Sequence, residues 1–410
     1  MVKPRILTIV AFAMITLLSF TSCVKDDDSS ENPFADAVVI GEDGVTSNGS
    51  RFISCDDGSF FLNSVHYKVV DDHLAVVDCD KVISIGEVKI FPRITYKGNT
   101  YDVLEIKDKA FSCCFQLKSI IIPASVVTVG RSLFYGCFGL ERIVVKSGNT
   151  TYDSRDNCNA VIETATNKLI YGCRSTVIPD DVTSIDESAF SGCTGLTNIE
   201  LPEKLSRIGR GAFGGCEGLT SITIPEGVTS IEGFTFRDCY SLYDVKLPSS
   251  LTSIGDFAFS ECHSLRSLTI PEGVTRIGEF AFEYCYSLAS ITIPEGVTEI
   301  GMAAFAGCSS LASITIPEGV TEIGPRSFEY CSSLASITIP ASLTKIEYGA
   351  LNPCSNITEI HCLSTTPPYC DIDVFTDSAY SQATLYVPQG CKKAYKKTSG
   401  WNEFQNIVEE

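Results

Sequence analysis

The 410-residue chain is poor in positive charge, histidine, tryptophan and methionine. It carries 31 lysines and arginines against 50 aspartates and glutamates, which gives a formal net charge of −19. Because such a surface repels phosphate backbones, the sequence predicts no nucleic-acid partner. A short basic cluster near the C-terminus, which we interpret as a solvated end segment, consists of Lys392, Lys393, Lys396 and Lys397.

Motifs that support catalysis or bind metals are also missing. The four histidines are scattered and no Cys-x-x-Cys pair occurs, so no metal site is predicted. Neither a phosphate-binding glycine loop nor a nucleophile elbow is present. Six acids near the N-terminus lack the spacing of a calcium loop, and we interpret them as solvated charge: Asp56, Asp57, Asp71, Asp72, Asp78 and Asp80. We therefore predict no catalytic residue, no cofactor and no metal.

The N-terminus has the pattern of a targeting segment. Lys3 and Arg5 precede an apolar run from Ile6 to Phe20, which is too short for a comfortable membrane span. Thr21 and Ser22 then precede Cys23, and this segment resembles the lipobox of bacterial lipoproteins. The resemblance implies that Cys23 is lipidated and becomes the mature N-terminus. Phe20 departs from the usual leucine, which leaves ordinary signal cleavage as the alternative.

The residues after Cys23 suggest a destination. Lys25 followed by Asp26, Asp27 and Asp28 resembles the export signal that sends some lipoproteins to the outer face of the outer membrane. The other interpretation is a charged, disordered tether, and the two are compatible. The prediction is thus a protein anchored by lipid to the outer membrane and facing the cell exterior.

A 23-residue period runs through most of the chain. Phenylalanines recur with this step between 190 and 328, and prolines between 179 and 340. A fixed period of this length is typical of a stacked solenoid. The cysteines that keep the same step are Cys193, Cys216, Cys239, Cys262, Cys285, Cys308, Cys331 and Cys354, preceded by Cys114 and Cys137.

One repeat shows how each coil folds. Ile291 and Ile293 point to the same side of an extended segment, and Pro294 ends that strand because it has no N–H donor. A second extended segment follows, and we predict that Gly301 then supplies a backbone conformation that a side chain would penalise. Stacked coils lie roughly 4.8 Å apart, so each template position becomes a ladder of neighbouring side chains.

The predicted fold class is a β-rich solenoid, a right-handed leucine-rich-repeat superhelix with 23-residue coils and an N-terminal β cap. Between residues 146 and 178 the template breaks, which predicts an extended coil with a protruding hairpin or loop. The predicted divisions are a signal peptide at 1–22, an acidic tether at 23–50, a β-hairpin cap at 51–109, the solenoid at 110–361 and a C-terminal cap at 362–410.

The template, Leu-x-x-Ile-x-Ile-Pro-x-x-Val-x-x-Ile-Gly-x-x-Ala-Phe-x-x-Cys, is similar to that of the BspA-type leucine-rich repeat family of bacterial surface proteins. The resemblance covers about residues 110–360. It implies a curved solenoid displayed on the cell surface, with adhesion to host or microbial partners as the usual proposed role. Three positions depart from the template because they replace its glycine: Asp186, Glu232 and Glu347.

The nineteen cysteines divide into two groups. Ladder neighbours point in parallel at the coil spacing, whereas a disulfide needs converging side chains, so we expect the ten column cysteines to be reduced and buried. The other cysteines are candidates for disulfides. The possible pairs are Cys55 with Cys79, Cys158 with Cys173, and two among Cys362, Cys370 and Cys391.

Two ladders are candidate binding surfaces. Tyr240, His263 and Tyr286 follow the column cysteine in consecutive coils and would form an aromatic strip able to stack on sugars or grip a peptide. The alternative is that these rings cover the convex side of the coil turn. The second ladder is acidic and has solubility as its alternative role; it contains Glu272, Glu295 and Glu318, with Glu226 before them.

Three functions remain open on the sequence alone. The leading hypothesis is a surface-anchored binding protein, without enzymatic activity, that adheres to or recognises host or microbial proteins. The alternatives are a glycan-binding lipoprotein for nutrient capture and a structural cell-surface protein. All three use the solenoid as a scaffold for surface ladders.

Overall fold

The computed structural model describes residues 37–79 and 86–410. The chain forms a β-solenoid of about 13 turns with coils of about 23 residues and little helix, as the period predicts. The targeting segment, Cys23 and Asp80 lie outside the described residues. Within those residues, no helix combines the length and the hydrophobicity needed to cross a membrane.

The N-terminal region contains eight strands, three of which have six to eight residues and are longer than any strand of the coils. The eight strands are β1 (Val38–Val39), β2 (Phe52–Ser54), β3 (Phe60–Leu62), β4 (Val65–Val70), β5 (His73–Cys79), β6 (Glu87–Lys89), β7 (Arg93–Tyr96) and β8 (Asn99–Ile106). Seven of them form a sheet in the order β1-β7-β8-β5-β4-β3-β2. Alternating buried residues such as Phe60 and Leu62 face its core. This sheet is larger than the predicted hairpin.

The first coils and the extended coil follow. Their strands are β9 (Ser119–Ile122), β10 (Thr128–Val129), β11 (Arg142–Val145), β12 (Tyr152–Asp153), β13 (Val161–Glu163), β14 (Lys168–Tyr171), β15 (Ser184–Ile185) and β16 (Arg207–Ile208), with a short 3-10 turn at Arg155–Asn157. β10 pairs with β8 in parallel, so the N-terminal sheet continues directly into the stack.

The remaining coils contribute two- to four-residue strands. These are β17 (Ser221–Thr223), β18 (Ser230–Ile231), β19 (Asp244–Lys246), β20 (Ser253–Ile254), β21 (Ser267–Thr269), β22 (Arg276–Ile277), β23 (Ser290–Thr292), β24 (Glu299–Ile300), β25 (Ser313–Thr315), β26 (Glu322–Ile323), β27 (Ser336–Ile339), β28 (Lys345–Ile346), β29 (Glu359–Cys362), β30 (Tyr369–Cys370), β31 (Thr384–Val387) and β32 (Asn406–Glu409). Two helices lie near the C-terminus, α1 (Asp377–Gln382) and α2 (Lys392–Tyr395).

Two sides of each coil form parallel ladders. The strands that contain the Ile-x-Ile pair make the first ladder, in which Ile314 pairs with Ile337 of the next coil. The second ladder runs in the order β18-β20-β22-β24-β26-β28-β30. Pairs such as Ile254 with Ile277 keep the 23-residue register, so the inward side chains stack directly on one another.

The third side of each coil is a series of tight turns, which we call the turn side. Its backbone bonds the coils together, because the Phe259 N–H donates to the carbonyl of Ala281 at 2.8 Å. The phenylalanine rings beneath are fully buried and stack between successive coils. The rings of Phe259 and Phe282 are 5.4 Å apart and nearly parallel. This column of rings is part of the solenoid interior, together with the buried leucines, isoleucines, valines and cysteines of each coil.

The extended coil is built from antiparallel strands. β13 pairs with β12 and with β14, and β14 then pairs in parallel with β15. Val161, Ile162 and Leu169 are fully buried. The predicted hairpin is therefore present, but its apolar side chains belong to the core of the stack.

The template glycine differs from our prediction. Gly301 does not lie in the left-handed region of backbone conformation. Instead, a Cβ atom at Gly301 would lie 2.5 Å from the backbone nitrogen of Glu279 in the preceding coil. The expectation of an unusual backbone angle was wrong, because the constraint at this position is the close approach of two coils.

Eight of the ten column cysteines are buried, Cys114 and Cys193 are partly buried, and one pairing differs from our prediction. Cys114 was expected to be reduced but forms a disulfide with Cys79. Cys114 is the first member of the column and meets the N-terminal sheet, where β5 ends at Cys79. The predicted Cys55–Cys79 pair is therefore wrong. The other disulfide candidates are free thiols, namely Cys55, Cys158, Cys173, Cys362, Cys370 and Cys391.

Two of these free thiols form hydrogen bonds with groups other than a cysteine. Cys173 Sγ donates to the main-chain carbonyl of Asn159 at 3.4 Å. Cys362 Sγ accepts a hydrogen bond from the hydroxyl of Tyr395 at 3.1 Å. Each sulfur thus has a partner other than a second cysteine.

Candidate functional site

Tyr240, His263 and Tyr286 form a stacked column on the turn side. The rings of Tyr240 and His263 are 4.8 Å apart, and those of His263 and Tyr286 are also 4.8 Å apart. Tyr240 is 38% exposed and Tyr286 is 44% exposed. The structure therefore brings the three side chains together on the surface, where a partner can contact them.

The cysteine column determines where these rings lie. Cys239, Cys262 and Cys285 are fully buried, and the residue after each of them turns outward. The turn is tight, because the Tyr286 N–H donates to the carbonyl of Tyr284 at 2.8 Å. A ring placed directly after the cysteine is thus held at the surface once in every coil.

A second aromatic column lies beside the first. Phe234, Phe257 and Phe280 are partly buried, and their rings stack at 4.8 and 4.6 Å. All three residues have positive φ angles, of 61°, 57° and 56°. Two other coils place Gly211 and Gly349 at the same template position, also with positive φ. Five further coils have a non-glycine residue without a ring there, and all have positive φ: Lys109, Ser132, Ser188, Ala303 and Arg326.

Large side chains in this conformation are unfavourable. A left-handed backbone costs a residue with a Cβ atom about 1–2 kcal/mol, and glycine avoids this cost. Tyr284 and Tyr330 occupy a second left-handed position, at which Gly215 and Gly307 appear in other coils. Strained residues of this kind concentrate at functional sites. We call the two columns together with Tyr284 the aromatic face.

Charged groups border the aromatic face. Arg237 lies 5.7 Å from the ring centroids of both Phe234 and Phe257, and it pairs with Asp238 at 3.5 Å. Arg210 lies 4.4 Å from the ring centroid of Phe234. Guanidinium groups are attracted to ring faces, so these contacts stabilise the stack.

Two carboxyl groups of this border, those of Asp238 and Glu283, have a raised pKa. Burial, with a contribution from Glu261, raises the pKa of Asp238 above its usual range. Burial also raises the pKa of Glu283, and Glu261 and Glu329 add to the effect. In both cases burial is the main cause, and the neighbouring carboxylates make a smaller contribution.

A groove of about 550 Å³ adjoins the aromatic face. Phe115 and Phe138, stacked at 5.6 Å, form one wall, and Phe234 and Tyr240 form the other. Between them the coils carry small residues, including Gly192, Gly211, Gly214 and Gly215. Our sequence reasoning missed this groove. The sequence feature that could have predicted it is the residue after the column cysteine. This residue is not aromatic after Cys193 and Cys216, although it is aromatic in coils on both sides of them.

The acidic ladder lies elsewhere. Glu272, Glu295 and Glu318 are exposed at the turns between the two strand ladders, so the structure does not bring them to the aromatic face. Glu318 accepts hydrogen bonds from the backbone N–H groups of Ala341 and Ser342, at 3.1 and 3.2 Å.

Glu226 makes the equivalent bonds at the other end of the acidic ladder. It accepts from the backbone N–H and the hydroxyl of Ser249, at 3.1 and 2.9 Å, and these bonds lower its pKa. Glu226 and Glu318 therefore each accept hydrogen bonds from the next coil and help to hold successive coils together.

The described residues contain no group of three His, Cys, Asp or Glu side chains able to hold a metal ion. Among the acids near the N-terminus, Asp57 accepts hydrogen bonds from Ser59, which lower its pKa to about 2, and it pairs with Lys68 at 3.5 Å. These partners belong to the protein itself. Asp57 is therefore an ordinary surface carboxylate.

The repeats match a known family. Six copies of the BspA type leucine rich repeat region cover residues 94–168, 168–289 and 275–397. The chain belongs to the BspA-type leucine-rich repeat family. Members of this family are cell-surface proteins of bacteria, and their repeats are scaffolds of the kind that bind other proteins. No curated protein matches the chain.

Several solved structures resemble this BspA-type protein. A leucine-rich repeat protein from Bacteroides ovatus is 26% identical, with a TM-score of 0.53 over 85% of this chain and 88% of that one. A leucine rich cell surface protein from Faecalibacterium prausnitzii is 24% identical, with a TM-score of 0.41 over 86% and 94% of the two chains. A leucine rich repeat protein from T. pallidum is 23% identical, with a TM-score of 0.34 over 58% and 98%.

Proposed function

We propose that this protein is a surface-displayed binding protein that recognises a host or microbial protein through its aromatic face. The observation that supports this most is the set of large rings that three successive coils hold at one left-handed backbone position, where two other coils use glycine and none of the remaining coils has a ring. Folding alone favours the small residue at such positions. Beside them, Tyr240 and Tyr286 are exposed and ordered by stacking on His263, so a partner can bury them without ordering flexible side chains first.

The test is a double substitution on the exposed column. Tyr240→Ala with Tyr286→Ala removes two anchors, and we expect affinity for a surface protein partner to fall at least about tenfold. The partner is sought among extracellular matrix proteins and surface proteins of neighbouring bacteria, with binding measured on immobilised protein. The matched control is Tyr243→Ala with Tyr369→Ala, because these exposed tyrosines lie off the aromatic face. Equal loss in both variants would contradict the proposal.

Glycan capture is the second candidate function, and the groove favours it. A groove with aromatic walls and a floor of small residues offers flat surfaces at a spacing that suits an elongated ligand. If this function is correct, a glycan array gives binding that Phe115→Ala with Phe138→Ala abolishes. Binding of glycans that survives this change would assign them to another surface.

We also propose that Cys23 carries a lipid and that the folded part stands on the outer face of the outer membrane. The sequence around Cys23 and the surface location of the family support this proposal. Radiolabelled fatty acid should enter the protein and be lost in Cys23→Ser. Protease added to intact cells should digest the solenoid. Protection of the protein until the outer membrane is opened would place it on the inner face instead.

The proposed role needs no catalysis. The described residues that line the groove are mostly aromatic or small, and its charged members are Glu187, Arg210, Glu217, Arg237 and Asp238. Reproducible turnover by the purified protein, lost on a single polar substitution, would overturn this part of the proposal.

A further inference from the structure

Four carboxylates and two arginines form a pattern along the aromatic face. At one end, Arg237 pairs with Asp238 at 3.5 Å. At the other end, Arg326 lies 4.0 Å from Glu329 and 5.7 Å from the ring centroid of Tyr348. Each end of the face thus has a guanidinium group between a carboxylate and an aromatic ring.

The middle of the face has the carboxylates and the rings but no arginine. Glu261 bonds to His263, with Oε2 2.6 Å from Nε2, and Glu283 accepts a hydrogen bond from Ser260 at 3.4 Å. Within the described residues, no lysine or arginine forms a direct ion pair with Glu261 or Glu283, although the charge of Arg237 partly offsets the effect of burial on the pKa of Glu283. Both carboxylates lie near Tyr286, whose pKa is raised by burial and by their charges.

We infer that the middle of the aromatic face receives an arginine side chain from a partner protein, with its guanidinium between Tyr286 and the carboxylates of Glu261 and Glu283. This inference rests on the proposed function, because it names the chemistry of the partner that the same face recognises. The protein shows the arrangement twice with its own arginines, at Arg237 and Arg326.

Arginine fits this site better than lysine. A guanidinium group is planar, stacks on aromatic rings and can give two parallel hydrogen bonds to a carboxylate, whereas an ammonium group is a more strongly hydrated point charge. Glu261 is only 28% exposed, so its attraction to a cation is screened less than on an open surface. The net charge of −19 also attracts a basic partner over longer distances.

The test uses three fluorescent peptides of one length, in which glycine alternates with arginine, lysine or glutamine. Binding to the full protein is measured by fluorescence anisotropy at low salt. We expect the arginine peptide to bind most tightly and the glutamine peptide not to bind. Glu261→Gln with Glu283→Gln should weaken arginine-peptide binding about tenfold. Tyr286→Ala should weaken it too, whereas Tyr286→Phe should not, because the ring remains.

The matched control is Glu272→Gln with Glu295→Gln. It changes the net charge equally at the turns between the strand ladders, and we expect less than about a twofold effect. Equal weakening by both double variants would overturn the inference, because it would show general attraction to a negative surface. A lysine peptide that binds as tightly as the arginine peptide would also overturn it.

Failure of this inference can be distinguished from failure of the proposed function. If no peptide binds, but a protein partner is lost in the Tyr240→Ala, Tyr286→Ala variant, the face binds partners by another chemistry and only the inference is wrong. If no partner of any kind depends on Tyr240 or Tyr286, the proposed function is wrong as well. Circular dichroism melts confirm that each variant is folded.

Discussion

The thiol of Cys262 donates a hydrogen bond to the main-chain carbonyl of Phe236, 26 residues earlier, with an Sγ–O distance of 3.2 Å. Seven other column cysteines make the same bond to the phenylalanine of the preceding coil, at 2.9 to 3.3 Å. They are Cys137, Cys216, Cys239, Cys285, Cys308, Cys331 and Cys354. A small apolar residue with a donor thus suits this buried position better than alanine.

Cys262→Ala should destabilise the protein by about 1–3 kcal/mol, because it leaves a small void and removes one donor to a buried carbonyl. The measurement is guanidinium chloride unfolding followed by circular dichroism. Cys391→Ala is the control, since Cys391 is half-buried and bonds only weakly within its own turn. A neutral effect at Cys262 would show that the thiol bond contributes nothing.

Most column thiols should resist labelling in the folded protein. Burial raises the pKa of Cys137 and of Cys354 to about 12, and raises that of Cys262 further. Since the thiolate is the reactive form, almost none is available at neutral pH. A thiol reagent should label few cysteines before denaturation and many more after it. Rapid labelling of the column in the native state would contradict its burial.

Phe257 offers a direct test of the left-handed backbone. At φ 57°, glycine is unstrained and alanine is not, so Phe257→Gly should be more stable than Phe257→Ala by about 1 kcal/mol. At ordinary positions the order is reversed, because glycine loses more conformational entropy on folding. Comparison of the two unfolding midpoints decides the matter. Greater stability of the alanine variant would mean that the backbone here is not left-handed.

Glu283 should make stability depend on pH. Burial raises its pKa in the folded state, so the folded protein holds the proton more strongly than the unfolded chain. Stability therefore falls as the pH rises from the unfolded pKa of 4.5 through the raised pKa of the folded state. Glu283→Gln removes this loss.

Thermal melts across the pH range check this effect. We expect Glu283→Gln to have a higher Tm than the unchanged protein at neutral pH, and the gain to vanish in acid. An equal gain at every pH would indicate another cause. A residue that costs stability when ionised is consistent with a role in binding a cation.

Much of the fold follows from the sequence. Pro294 ends a strand and Ile291 and Ile293 face the core, because these effects depend on one residue and its immediate neighbours. Repetition then requires residues 23 apart to become spatial neighbours. For this reason the stacked column of Tyr240, His263 and Tyr286 could be predicted from spacing alone.

Features that join different coils could not be predicted in this way. The Cys79–Cys114 disulfide links the N-terminal sheet to the first column cysteine. Cys79 does not belong to the 23-residue pattern, so the spacing of the cysteines could not predict this pair. The antiparallel strands of the extended coil enter the core although their sequence leaves the template. Gly301 is needed because the backbone of Glu279 lies against it, and that contact exists only once the coils are stacked.

The sequence by itself determined the solenoid, its register and the columns of the aromatic face, because a strict period converts spacing along the chain into position along the stack. Only the tertiary structure decided how the columns meet their neighbours. The groove between Phe138 and Tyr240 forms because side chains from separate coils face each other across the surface. The same is true of the charges: Arg237 and Arg326 pair with Asp238 and Glu329, and neither forms an ion pair with Glu261 or Glu283. Contacts of this kind between different coils cannot be predicted from a short stretch of sequence.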